Sequence, residues 1–194
     1  MSLILSTLLI AAIGAPNAPG VWVIRSADSF EPLRPVTSTI VLAPGGKMRG
    51  AANAAGRLIP KGPVAVPRLG KGKVNRELRV MLNKARVEVS PNTHFRFIFD
   101  SRSAVWKFGS EPAAHPTDFV LVKLQEDDRY RSASLDENGM FAGEVWSDFV
   151  FEQTSPIEFD VRLPEKLTPG EYAFVYSAGG PPKSNVRVFD FSIK

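Results

Sequence analysis

The stretch Leu163–Lys194 reads LPEKLTPGEYAFVYSAGGPPKSNVRVFDFSIK, and it narrows the fold more than any other part of the chain. Pro169-Gly170 sets a turn, because proline fixes φ and glycine reaches conformations closed to other residues. A tyrosine-containing strand follows over Glu171–Ser177, then a second Gly/Pro turn, then an alternating apolar strand over Asn185–Ile193. Strand, turn and strand with no helical period between them are the end of an all-β domain.

The same period of two recurs upstream. In Thr93–Asp100 the side chains of Phe95, Phe97 and Phe99 share a face, with His94 and Arg96 opposite. Asp118–Gln125 is apolar on both faces at its start, as a central strand is. Ser147–Glu152 follows, and Ile157–Leu163 alternates with Ile157, Phe159, Val161 and Leu163 inward. Val21–Arg25 and Thr37–Ala43 read as strands, with a turn and an extended Pro-bounded piece between them. Val74–Val89 fits two periods: Val74, Leu78, Met81, Leu82 and Ala85 at helical spacing, Leu78, Val80 and Leu82 as a strand. We read strands there.

Of the 13 phenylalanines most fall after residue 94, which places the core in the second half. Its expected centre is Phe95, Phe97, Phe119, Phe159, Phe174 and Phe189. A half-apolar sheet must cover its face against another, so a two-sheet antiparallel sandwich is the expected architecture. Leu167-Thr168-Pro169-Gly170-Glu171-Tyr172 is similar to the tyrosine corner of immunoglobulin-like domains, where a Tyr hydroxyl bonds back to backbone at the preceding turn. The expected fold is therefore an all-β, immunoglobulin-like sandwich over residues 74–194. Residues 15–73 form an N-terminal extension of strands and a long basic loop or linker rich in Gly, Pro and Ala.

Leu3–Ile13 is an uncharged apolar run of eleven residues. A membrane-spanning helix needs about 20 residues, whereas this length suits the core of a signal peptide, with small residues for cleavage after Gly14 or Ala18. Export to the periplasm or the extracellular space is the expectation, with no transmembrane helix in the mature chain; a buried N-terminal element is the alternative. The chain has no cysteine, which leaves neither a lipid-anchoring cysteine nor a disulfide framework.

Charge is unevenly spread. From Gly45 to Glu88 there are eleven basic and two acidic residues, and from Glu111 to Glu171 five basic and fourteen acidic ones. The net of +4 therefore hides a bipolar molecule, which points to an anionic partner for the basic half or to self-association of opposite ends. Arg68, Lys71, Lys73, Arg76 and Arg79 are the candidate polyanion-binding residues, suited to phosphates or acidic glycans. No aromatics interleave them, so base stacking and sequence-specific nucleic-acid reading are not expected.

Catalytic motifs are absent from the sequence. His94 and His115 are the only histidines, no GxSxG elbow is present, and a zinc set would need carboxylates gathered from distant loops. Glu126-Asp127-Asp128 and Asp136-Glu137-Asn138-Gly139 lack EF-hand spacing and read as solvated hairpin turns. Gly70-Lys71-Gly72-Lys73 is not a P-loop, since Val74 stands where the hydroxyl residue belongs. No cofactor, metal or catalytic residue is assigned.

Six segments occur in order: Pro19–Val23, Lys84–Val89, Phe95–Asp100, Asp118–Leu124, Leu167–Phe174 and Val188–Phe191. Together they resemble a group of exported bacterial proteins and lipoproteins of unknown function that share a C-terminal β domain with LxPGEYAF and VFDF motifs. The likeness spans about 110 residues, and implies a β fold and an exported address but no site residues. The chain departs from the lipoprotein members in lacking a cysteine, and has Ser192 where a glycine would follow VFDF.

These readings converge on a non-catalytic exported protein with a binding or assembly role in the envelope or extracellular space, its partner an anionic polymer, an envelope protein or a second copy. Two alternatives stand beside it. One is a hydrolase of cell-wall or extracellular polymers acting through paired carboxylates; the other is polyanion binding by the basic arm alone.

Overall fold

The computed structural model describes residues 16–43, 76–108, 112–147, 149–178, 180–182 and 187–194. Residues 1–14, the expected signal peptide, and Arg68, Lys71 and Lys73 of the expected basic loop lie outside the described residues. In chain order the strands begin with β1 Gly20–Ser26, β2 Ser29–Leu33, β3 Val36–Leu42, β4 Arg76–Met81 and β5 Glu88–Val89. They continue with β6 His94–Ile98, β7 Phe119–Glu126, β8 Tyr130–Leu135 and β9 Val145–Trp146. The last are β10 Val150–Ser155, β11 Glu158–Arg162, β12 Gly170–Tyr176 and β13 Arg187–Ile193. Short 3-10 turns occupy Ala104–Trp106 and Pro116–Asp118.

The chain is all-β, but it is not an immunoglobulin-like sandwich. Six strands close on themselves in the order β7-β12-β13-β3-β4-β8 and back to β7, every neighbour antiparallel. This barrel is the main correction to the expected fold. Its cause is β8, whose sequence YRSASL looks too polar for a buried strand. Arg131, Ala133 and Leu135 nonetheless all face inward and are buried. With β8 seated between β4 and β7, the sheet has no free edges there and curls shut. Within its described part Val74–Val89 forms β4 and β5, with a bend over 82–84 between them and no helix.

A second sheet, in the order β10-β11-β6-β1-β2, covers the outer face of the β7-β12-β13 wall. Strands from residues 16–43 are thus woven into both layers, β1 and β2 into this sheet and β3 into the barrel. Alternation along β12 explains why its burial is nearly complete. Tyr172 and Phe174 face the covering sheet, while Glu171, Ala173 and Val175 face the barrel interior. Between the layers lies an aromatic core: Phe95 and Phe97 of β6 each set their rings 5.2 Å from Phe174. Phe119, Phe189, Phe191 and Trp106 complete it, all fully buried. All six expected core phenylalanines are buried, while Ile157 lies in the β10–β11 turn and is half exposed.

The Tyr172 hydroxyl donates to the carbonyl of Thr168 at 2.6 Å, across the Pro169-Gly170 turn. The local bond expected from the sequence is present, though in a barrel rather than in an immunoglobulin domain. Removing it should cost about 1 kcal/mol, the usual net worth of one such bond. Urea unfolding of Tyr172→Phe checks this, and an unchanged midpoint would show that the hydroxyl adds nothing.

Candidate functional site

Inside the barrel the Arg131 side chain is fully buried between two acids. Its Nη1 donates to Glu171 Oε2 at 2.7 Å and its Nη2 to Asp190 Oδ2 at 2.5 Å. Nε donates to the carbonyl of Leu82 at 3.1 Å, and Glu171 Oε2 also accepts the amide of Ala85 at 2.8 Å. A charge at this depth must be paired and hydrogen-bonded to be tolerated. Two carboxylates on one guanidinium leave a surplus negative charge. Burial pushes the Glu171 carboxyl above its usual range, and this outweighs the opposing pull of the Ala85 amide and of Arg131.

The same bonds fix the segment from Leu82 to Val89 across the barrel end. Leu82 takes a left-handed φ of 77°, a costly conformation for leucine, with its carbonyl bonded to Arg131. Farther along, the amides of Ser192 and Lys194 donate to the carbonyls of Val87 and Val89, so that β5 runs parallel to β13.

These pairings leave a window in the wall. On one edge β13 meets β3 at Arg187 and Val188 and meets β5 at Ser192 and Ile193. Asp190 falls in the interval between the two pairings. A recess of about 540 Å³ opens there, lined by Glu31, Pro32, Arg34, Pro35, Val36, Arg86, Val87 and Asp190. The prolines and valines form its walls, Asp190 with Arg131 behind it forms the floor, and exposed Arg34 and Arg86 belong to the rim. Among the described residues neither rim arginine has an ion-pair partner, whereas Glu31 accepts from Arg25 Nε at 2.9 Å.

Two smaller hollows offer less. One of about 160 Å³ lies on the other side of the Leu82–Val89 segment, beside Glu171, Lys84 and Glu88. One of about 350 Å³ sits where β7 and β8 splay apart, and its charged groups Lys123 and Glu144 pair with each other at 3.5 Å.

The sequence-derived polyanion residues divide. Arg76 and Arg79 project from opposite faces of β4. Arg76 Nη2 donates to the carbonyl of Glu137 at 3.4 Å, while Arg79 pairs with Glu77 and lies 4.0 Å over the Tyr130 ring. His115 caps the turn Pro116–Asp118, with its ring edge-on to Phe151 and Phe159 at 4.9 and 4.8 Å. Asp136 accepts the amides of Asn138 and Met140, as a hairpin turn does. Among the described residues no group of three or more His, Asp or Glu side chains is placed to hold a metal ion, and no helix is long and apolar enough to cross a membrane.

Arg34, Arg86, Arg131 and Asp190 carry no motif. Arg131, Glu171 and Asp190 are marked by one signal, an ionic residue at an inward position of an alternating strand (the Arg of YRSASL, the Glu after Pro169-Gly170, the Asp of VFDF), whereas exposed Arg34 and Arg86 lie outside the strands and have none. Such inward charges demand a partner across the fold. Comparison with family models, curated proteins and solved structures gives no match for this chain.

Proposed function

We propose that this chain is an exported, non-catalytic binding protein whose ligand enters the window between β3 and β5. The observation that supports it most is the recess itself. Its volume of about 540 Å³ lies within the ordinary range for small-molecule sites, roughly 300–1,000 Å³. It joins apolar walls to a few polar groups, two of them cations with no partner among the described residues. Binding is favoured over hydrolysis because the two carboxylates that line the recess, Glu31 and Asp190, are each already engaged by a guanidinium, Arg25 and Arg131, while Glu171 lines a separate recess. Glycoside cleavage needs two carboxyl groups flanking one bond. The secreted or periplasmic address rests on the Leu3–Ile13 run and on the resemblance to exported proteins.

A panel of small metabolites and glycan fragments screened by thermal shift tests the reading, since a ligand of the folded state raises the unfolding temperature. Pro35→Trp places a large ring at an exposed position on the recess wall and should abolish those shifts while leaving the unliganded protein as stable as before. Shifts that survive Pro35→Trp, or a panel with none at all, would remove the recess from consideration.

A further inference from the structure

We infer that the recess takes a hydroxy acid of sugar size, its oxyanion held between Arg34 and Arg86 and a hydroxyl donated to Asp190. This rests on the reading of the recess as a binding site and adds the chemical class of the ligand.

Charge changes sign along the recess, from a positive rim to a negative floor. At the rim stand Arg34 and Arg86, both exposed. The one rim acid, Glu31, is already engaged by Arg25 through two nitrogens, Nε at 2.9 Å and Nη2 at 2.5 Å. The rim is therefore net positive, and guanidinium groups match carboxylate, phosphate and sulfate oxygens in pairs. At the floor the sign reverses. Among the described residues Arg131 is the side chain that hydrogen-bonds Asp190, and it does so through Oδ2. Arg131 is itself shared with Glu171, so the floor accepts hydrogen bonds and repels anions.

A purely anionic ligand would meet that repulsion at its inner end, and a purely apolar one would leave both arginines unused. The ligand that satisfies both ends carries an oxyanion outward and a donor inward. Between them Pro32, Pro35, Val36 and Val87 present saturated surface with no aromatic ring. That wall suits the C–H faces of a sugar ring. An acidic sugar meets all three demands, whether free or at the end of an acidic glycan.

Four probes separate the terms by titration calorimetry: galacturonate, galactose, hexanoate and trigalacturonate. Galacturonate should bind at least ~10-fold more tightly than galactose, which lacks the anion, and than hexanoate, which lacks the hydroxyls. Arg34→Gln and Arg86→Gln should each weaken galacturonate about 10-fold and leave galactose unchanged. Both side chains are exposed and unpaired among the described residues, so an unaltered unfolding temperature serves as the folding control. Raising salt should weaken galacturonate alone among the two sugars. Tighter binding of trigalacturonate assigns the site to a glycan end, and equal binding to the free acid; either result supports the class. Galactose or hexanoate binding as well as galacturonate overturns it, as do arginine variants without effect. So does failure of all four probes while other panel members still shift the protein in a Pro35→Trp-sensitive way, an outcome that leaves the recess as a site for a different ligand.

Discussion

Replacing Arg131 with methionine should destabilise the protein by about 3–5 kcal/mol, the usual penalty for removing one partner of a buried ion set. Methionine keeps much of the stem's volume, so the loss comes from charge. It leaves Glu171 and Asp190 unpaired on neighbouring strands inside the barrel, and frees the carbonyl of Leu82 as well. Against a typical total stability of 5–15 kcal/mol this is a large fraction. Glu171→Gln is the informative partner. It removes the surplus charge, keeps an oxygen for the Ala85 amide, and leaves the Arg131–Asp190 pair intact, so it should cost far less than Arg131→Met.

The pH dependence separates the two variants further. The Glu171 carboxyl is raised above its ordinary value of 4.5 in the folded protein. As pH climbs past that value the unfolded chain ionises first, so this group's contribution to stability, full at lower pH, is lost as pH rises through the folded value. Glu171→Gln removes that downward slope. Urea unfolding across pH 4 to 7 measures both effects. An Arg131→Met protein within 1 kcal/mol of the parent would show that the triad is not a structural requirement of the barrel.

The same triad explains which parts of the fold were legible in the sequence. Strands β6, β7, β11, β12 and β13 announce themselves because one face of each is filled by aromatic or aliphatic side chains, and a period of two needs nothing else. β8 is opaque because its inward series begins with Arg131, a residue type that is almost never fully buried without partners. Those partners lie 40 and 59 positions away, at Glu171 and Asp190, so nothing local compensates the charge. β2 is hidden by Pro32, which an edge strand accepts and a central one does not. With β8 and β2 unread, the remaining strands are most simply laid out as a sandwich. The recess inherits the same difficulty, because Arg34, Arg86 and Asp190 meet only once β3 and β5 are both set against β13.

Where periodicity was enough, the expected consequence of mutation is correspondingly firm. Phe97→Ala should cost about 3–5 kcal/mol, since a fully buried phenylalanine loses both its transfer free energy and its packing when truncated. Phe97 sits where the two layers meet. Its ring lies 5.2 Å from Phe174 and 5.7 Å from Phe119 in edge-on contacts, and 6.2 Å from Trp106 in a stacked one. Edge-on pairs add about 0.5–1.5 kcal/mol to the area term, which puts the expected loss toward the upper end of the range. Phe151 on the outermost strand β10 is the proper comparison. It is the same residue type, yet 36% exposed, with Phe159 and His115 as its ring contacts. A cavity cannot form where solvent already reaches, so Phe151→Ala should cost no more than about 1 kcal/mol. Urea unfolding of the two variants side by side decides the matter. A clear gap in favour of Phe97 supports an aromatic core between barrel wall and covering sheet; equal losses would mean that the two layers do not pack through β6.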